Sequence, residues 1–139
     1  MSIVEWLYVI LGGGLGAGCR FLVDTRLAPD ADAGAHRKPS GWHVLNRLTL
    51  INVLGSALLG VITGLAVAVP SIGDGPLPLL LGVGFCGGFT TFSTAMVEAV
   101  HEAHKPHREN HHHTILRILG MAVMSVACYF IAFVLASAV

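Results

Sequence analysis

The sequence predicts an all-α integral membrane protein with four transmembrane helices. Its 139 residues are 54% hydrophobic and only 12% charged, and the mean hydropathy is +0.73. These values are typical of a bundle of membrane helices and exclude an ordinary soluble domain. Four apolar segments are each about long enough to cross a bilayer: residues 3–23, 47–69, 77–100 and 115–137. Four spans in so short a chain predict a single membrane domain, residues 1–139.

Glycine pairs mark the first predicted span. Gly12 and Gly16 lie four residues apart, as do Gly14 and Gly18, so each pair shares one side of a helix. Residues without a side chain let another helix approach closely, and we favour this packing role over a direct role in ligand binding. The span has no basic residue at its start and carries Glu5 there, which predicts a retained membrane helix and not a signal peptide.

Arg20 lies near the end of the first span, where a guanidinium group cannot face lipid without cost. Its side chain can snorkel to the interface, pair with an acid such as Asp24, or face a wet cavity. The sequence leaves these three arrangements open.

Polar side chains interrupt the second and fourth spans. Asn52 lies within the second span, where an unpaired amide would cost a few kcal/mol. It either bonds to a neighbouring helix or lines a polar path, and the two readings carry equal weight. In the fourth span, Ser125 and Tyr129 are four residues apart and share one helix face.

The third span contains the most unusual stretch, GVGFCGGFTTFSTAMVE, residues 82–98. The pair Gly87-Gly88 followed by a run of hydroxyl residues predicts a break in the helix, and a break frees backbone carbonyls that need partners in hydrocarbon. A cation, a water-lined path or a neighbouring helix would supply them. The alternative is a kinked helix whose small residues serve close packing.

Basic residues concentrate on one side of the predicted membrane topology. With four spans, the first and third loops, residues 25–46 and 101–114, face the same side, and all eight basic residues lie in or beside them. The positive-inside rule places both loops in the cytoplasm and both termini outside the cell membrane, in a single orientation. The residues are Arg20, Arg26, Arg37, Lys38, Arg47, Lys105, Arg108 and Arg117.

The histidines and cysteines of the sequence give little indication of metal or redox chemistry. The third loop contains His101, His104, His107, His111, His112 and His113. Neutral imidazoles can bind zinc, but no ordered spacing closes a site, and we favour a solvated cytoplasmic loop. The three cysteines all fall in apolar segments, which predicts small buried side chains and no disulfide framework.

Three motifs, GGGLGAGCRF, INVLGSALLG and GFCGGFTTFSTAMVE, resemble in order and spacing the CrcB/Fluc family of fluoride channels. The resemblance covers essentially the whole chain apart from the loops. It implies a four-helix protein that works as an antiparallel dimer and exports toxic fluoride from the cytoplasm by passive flow. It also implies a structural sodium ion at the dimer centre, held by carbonyls at the break of the third helix and not transported.

The resemblance assigns roles by position. Gly87 and Thr90 would bind sodium, and Asn52 and Phe92 would match the pore asparagine and the first of two pore phenylalanines. Hydroxyl and amide donors suit the path because they can replace the water of a strongly hydrated anion without trapping it, and the positive edge of an aromatic ring can meet the anion. The remaining matched residues are the pore-side hydroxyls Ser93, Thr94 and Ser125, the arginine Arg20 after the first glycine motif, and Glu98, which would pair with an arginine or lie at a vestibule.

One position departs from the family pattern, because Ala95 stands where the resemblance implies a second pore phenylalanine. Together with the single orientation, this substitution predicts a heterodimer with an oppositely oriented homologue, a homodimer being the alternative. In a homodimer, whose pores are lined by this chain alone, Phe85 or Phe89 would have to replace the missing phenylalanine ring. The expected partners are fluoride, membrane lipid and the second subunit, with no nucleic acid.

Other functions remain as alternatives. A subunit that does not conduct and only orients a conducting partner is the more serious one. A small multidrug exporter would need a membrane-embedded acid in its first helix, and Glu5 lies too near the terminus. No nucleophile with a neighbouring base marks the spans, which predicts that the protein is not an enzyme.

Overall fold

A computed structural model describes residues 2–26, 41–90 and 111–139 of the chain, with side chains omitted for 41–46 and 111–114. This part of the chain is helical and contains no strand, which confirms the all-α prediction. The elements in order are α1 (Ile3–Arg26), α2 (Gly41–Ala68), α3 (Pro70–Gly73), a π-helix (Pro78–Cys86), α4 (Gly87–Phe89) and α5 (His111–Ser137).

Three of the helices are long and apolar enough to cross a membrane. They are Ile3–Arg26, Arg47–Ala68 and Ile115–Ser137, with mean hydropathies of 1.5, 2.1 and 2.4. A shorter apolar helix, Pro78–Phe89, combines the π-helix and α4 and is called the third helix below. The remainder of the predicted third span, residues 91–100, lies outside the described residues.

The first turn of α1 is closed by its own side chains. The Ser2 backbone N–H donates to Glu5 Oε2 at 2.7 Å, and the Glu5 N–H donates to Ser2 Oγ at 3.3 Å. This capping box satisfies backbone donors that a helix N-terminus leaves free. Glu5 therefore acts at the helix end and not inside the membrane.

Helix α1 packs against the third helix through glycines, and the two run parallel. A Cβ atom built on Gly12 would meet the backbone of Leu80 and lie 2.9 Å from the Phe85 nitrogen; one built on Gly16 would meet the Phe85 carbonyl oxygen and lie 2.9 Å from the Phe89 nitrogen. The packing role predicted for this pair is confirmed. Gly14 and Gly18 have no such neighbour within 4 Å in the described chain.

Helices α2 and α5 form a second parallel pair, again closed by small residues. A Cβ on Gly60 would lie 2.9 Å from Ala132 Cβ, and one on Gly64 would lie 2.8 Å from Ala136 Cβ. Close backbone approach of this kind is how membrane helices associate without a hydrophobic driving force between them. The two pairs meet where Gly82 faces α2 side chains.

Many large apolar side chains point away from this bundle. Leu15 is 64% exposed, Val123 67% and Leu135 68%. A soluble domain would bury such residues, whereas a membrane protein presents them to lipid. The chain is a multi-pass helical membrane protein.

The break predicted at Gly87-Gly88 is wrong in position. Gly87 has α-helical torsions (φ −63°, ψ −39°), the helix continues to Phe89, and Thr90 is extended (φ −80°, ψ 155°). Gly88 serves packing here, since a Cβ on it would lie 3.0 Å from the Gly13 Cα atom. The helix ends at Phe89, one residue after the glycine pair.

Candidate functional site

A cavity of about 260 Å³ lies where α2, the end of the third helix and α5 meet. Its wall combines amide, hydroxyl and sulfur groups with apolar side chains, and no charged residue is among them. The lining residues are Asn52, Gly55, Ser56, Leu59, Cys86, Thr90, Met121, Ala122, Ser125 and Val126.

Asn52 is the most buried polar side chain of the cavity wall, with 8% of its surface exposed. Its Nδ2 donates to the Leu48 carbonyl oxygen at 2.9 Å and lies 3.5 Å from Met121 Sδ on α5. Both readings of the sequence therefore describe Asn52, because it contacts a neighbouring helix and also lines a polar cavity. Its amide has a second N–H, and the thioether beside it is a weak acceptor.

Thr90 closes the cavity at the end of the third helix. Its backbone N–H and its Oγ1 both donate to the Cys86 carbonyl oxygen, at 2.9 Å and 2.8 Å. Its methyl group approaches Gly55 on α2, where a Cβ atom would collide with it. The hydroxyl holds the helix end in place while the extended backbone leaves the helix.

Ser125 lies across the cavity on α5. Its Oγ atom is buried and has no hydrogen-bond partner among the described residues. A buried hydroxyl without a protein partner is costly unless a water or ligand satisfies it. The cavity in front of Ser125 provides the room for such a group.

The structure separates the sequence-predicted site residues into groups. Asn52, Thr90 and Ser125 line the cavity. Gly87 is exposed, and no described atom from another part of the chain lies within 4 Å of a Cβ built on it. The predictions for Phe92, Ser93, Thr94 and Glu98, and for Ala95 and residues 101–110, lie outside the described residues.

Arg20 lies at one end of the bundle, apart from the cavity. Its Nε is 3.7 Å from Asp24 Oδ2, so the pairing with Asp24, one of the three arrangements that the sequence left open, is present. Arg47 Nη1 donates to the Asp24 carbonyl oxygen at 3.0 Å, which places the described start of α2 beside the end of α1. A cation at the C-terminal end of a helix also interacts favourably with its dipole.

Sequence reasoning missed the other members of the cavity wall that carry a hydroxyl or sulfur group, Ser56, Cys86 and Met121. Ser56 lies one turn after Asn52, and Met121 lies one turn before Ser125, so the helical period could have found both. Cys86 was expected only as a small buried side chain; it is 2% exposed and also lines the cavity. All three cysteines are free, as predicted.

Phe85 and Phe89 stack on each other, with ring centroids 5.7 Å apart and planes at 11°. Neither is among the residues that line the cavity. Their backbone contacts with Gly16 place this part of the third helix against α1. This cavity therefore gives no support to the hypothesis that Phe85 or Phe89 replaces the pore phenylalanine that is absent at Ala95.

Apolar spans around an uncharged cavity with a few hydrogen-bonding side chains are typical of small membrane channels and transporters. Residues 7–137 match the family model described as CrcB-like protein, Camphor Resistance (CrcB), and the chain belongs to this family. It is 37% identical over 137 residues to "Fluoride-specific ion channel FluC 1" of Corynebacterium jeikeium, covering 92% of this chain and 87% of the relative. It is 42% identical over 134 residues to "Fluoride-specific ion channel FluC 2" of Cutibacterium acnes, covering 96% and 98%. "Fluoride-specific ion channel FluC 3" of Bifidobacterium longum is 32% identical over 133 residues, covering 94% and 99%.

Proposed function

We propose that this chain forms a fluoride channel that exports fluoride from the cytoplasm by passive flow. The observation that carries the proposal is the cavity between α2, the third helix and α5, whose wall offers neutral hydrogen-bond donors and no fixed charge. The names of the relatives in the family point to the same ion. Neutral donors suit a conducting path because an anion must enter and also leave.

The donors needed to replace part of fluoride's hydration shell are present around the cavity. Asn52 uses one amide N–H for the Leu48 carbonyl, and its contact with Met121 sulfur is one that an anion can replace at little cost, because sulfur accepts weakly. The buried Ser125 hydroxyl lacks a partner among described residues and can rotate toward an ion. The resemblance to the family assigns Phe92, Ser93 and Thr94 to the same path, and these residues lie outside the described part of the chain.

A structural sodium ion fits the end of the third helix. A helix that ends at Phe89 presents the carbonyls of its last turn to hydrogen-bond donors or cations outside the helix, and carbonyl oxygens are hard ligands that suit a hard cation. Gly87 has no described atom near the position of a Cβ, so this side is open to a second subunit. Gly87 and Thr90 would hold the ion through their backbone oxygens, and its charge would favour an anion nearby.

Removal of sodium is expected to lower fluoride efflux by about tenfold or more, because binding of the ion is coupled to assembly of the dimer. N-methylglucamine replaces sodium on both sides of proteoliposomes, and efflux and the thermal unfolding temperature are measured. Thr90→Val is the matched control. The Thr90 hydroxyl already donates to the Cys86 carbonyl oxygen, so sodium would bind to the backbone oxygen of residue 90. Valine keeps this oxygen, and efflux from the variant should therefore still depend on sodium. Equal efflux and unfolding temperature without sodium would remove the site.

The arginines support an orientation with residues 25–46 and 101–114 in the cytoplasm and both termini outside. Contacts link the start of α2 to the end of α1, and α5 runs parallel to α2, so Arg20, Arg47 and Arg117 gather at one end of the bundle. Basic residues at one end favour a single insertion direction. An antiparallel dimer then needs a homologue whose basic residues favour the opposite insertion direction. The numbered names of the relatives, FluC 1 and FluC 3, are consistent with more than one such protein in one organism.

Fluoride efflux from liposomes tests the function and the subunit composition together. We expect no efflux from this chain alone and fast efflux when an oppositely oriented homologue is reconstituted with it, with chloride retained in both cases. Fluoride-selective efflux from this chain alone would keep the channel and overturn the heterodimer. Silence of both preparations would overturn the channel.

Two alternative functions are weaker. A multidrug exporter lacks support because Glu5 belongs to the capping box of α1. A subunit that only orients a conducting partner is tested by the same liposomes: Ala95→Phe would then leave efflux of the mixed channel unchanged, whereas a pore lined by this residue should respond to the added ring.

A further inference from the structure

Two sulfur atoms belong to the cavity wall, and the proposed anion path uses neither as a donor. Cys86 comes from the end of the π-helix and Met121 from α5, with 2% and 3% of their surfaces exposed. Both residues line the same cavity. A thiol and a thioether brought together from two elements are a typical donor set for soft metal ions.

The side of the third helix that carries Cys86 faces α2. Gly82, one turn earlier, lies against Leu59, and Thr90, one turn later, lies against Gly55. The Cys86 carbonyl oxygen is occupied by the Thr90 backbone and hydroxyl donors. The thiol is then the group of Cys86 that remains for a ligand.

The groups around Met121 leave its sulfur accessible to an ion. Asn52 Nδ2 donates to Sδ at 3.5 Å, and because a thioether is a weak acceptor, a soft metal ion can displace this hydrogen bond. The Ser125 hydroxyl, one turn along α5, is buried without a described partner and can add an oxygen. A cavity of about 260 Å³ has room for a cation and water.

We propose that this cavity binds one soft monovalent cation, Cu(I) or Ag(I), through Cys86 Sγ and Met121 Sδ, and that the bound ion blocks the anion path. The Cys86 S–H proton leaves to water as the sulfur–metal bond forms, Met121 donates a lone pair, and no atom is oxidised or reduced. The thiolate neutralises the cation, so the complex adds no net charge to the membrane interior. The block rests on the proposed channel function, whereas the binding does not.

Calorimetry with Ag⁺ tests the binding on the full-length Cys19→Ala/Cys128→Ala protein, in which Cys86 is the remaining thiol. Silver nitrate in chloride-free buffer avoids precipitation. We expect Cys86→Ala to lower the number of Ag⁺ bound per chain by about one, leaving any Ag⁺ held by histidine imidazoles, and Met121→Leu to weaken that one site at least about tenfold. Met124→Leu is the matched control, since Met124 is 52% exposed on the same helix, and Zn²⁺, which would leave a net charge, should not bind.

An Ag⁺ stoichiometry that Cys86→Ala leaves unchanged, or an affinity that falls equally in Met121→Leu and Met124→Leu, would overturn the site. For the block, Ag⁺ is added to liposomes of whichever preparation conducts fluoride, and efflux is followed with a fluoride electrode. Loss of efflux that Cys86→Ala prevents supports the block; unchanged efflux with bound Ag⁺ overturns it. If no preparation conducts, the channel function fails while calorimetry still decides the site.

Discussion

Replacing Asn52 with leucine is expected to lower fluoride efflux by about 100-fold while the protein still folds. Asn52 is the most buried polar side chain of the cavity wall, and its amide N–H beside Met121 sulfur can turn to an anion because sulfur is a weak acceptor. Without that donor, a strongly hydrated anion must give up water with less in return, and a loss of about 3 kcal/mol raises the barrier by roughly that factor. Efflux from liposomes of the conducting preparation measures the change.

The stability of the same variant separates a lost donor from a lost fold. Leucine has the same branched shape and the same number of side-chain heavy atoms as asparagine and adds no polar atom to the interior, so folding should survive. Ser137→Ala is the control, because that hydroxyl bonds to the Val134 carbonyl at the far end of α5. Efflux from Asn52→Leu within about threefold of the unchanged protein would show that the cavity is not on the anion path.

The sequence predicted the helices well because hydropathy and length constrain a membrane protein more strongly than a soluble one. The all-helical fold and the buried glycine pair of α1 followed from this pattern. The helix break could not be located in the same way. Gly87 and Gly88 permit a break, but Gly88 is needed against Gly13, and only the packing of α1 shows which use the structure makes of them.

The cavity was predicted in part. Asn52 and Ser125 attract notice because polar atoms are rare in apolar spans, and they do share one wall. Met121 and Cys86 are ordinary residues of a membrane helix, and only the position of Met121 one turn before Ser125 indicates that it could share this wall. Their place in the cavity wall depends on the pairing of α2 with α5 and on the residue at which the third helix ends. Both are features of the tertiary structure that a single sequence does not reveal.

Gly16→Ala is expected to destabilise the protein by about 3 kcal/mol. The added methyl group would meet the Phe85 carbonyl oxygen and lie 2.9 Å from the Phe89 nitrogen. Backbone atoms cannot move aside as a flexible side chain can, so α1 must separate from the third helix and lose the close contacts that hold this pair together. Unfolding in a series of denaturing detergent concentrations, followed by circular dichroism, measures the loss.

Gly18→Ala on the same helix should have the opposite sign. No described atom lies within 4 Å of a Cβ at Gly18, and alanine favours a helix over glycine by less than about 1 kcal/mol. A difference between two identical substitutions two residues apart isolates the contact with the third helix from any general effect on α1. Equal destabilisation by both would mean that the Gly14 and Gly18 face is also closely packed, which is the result a second subunit seated on that face would produce.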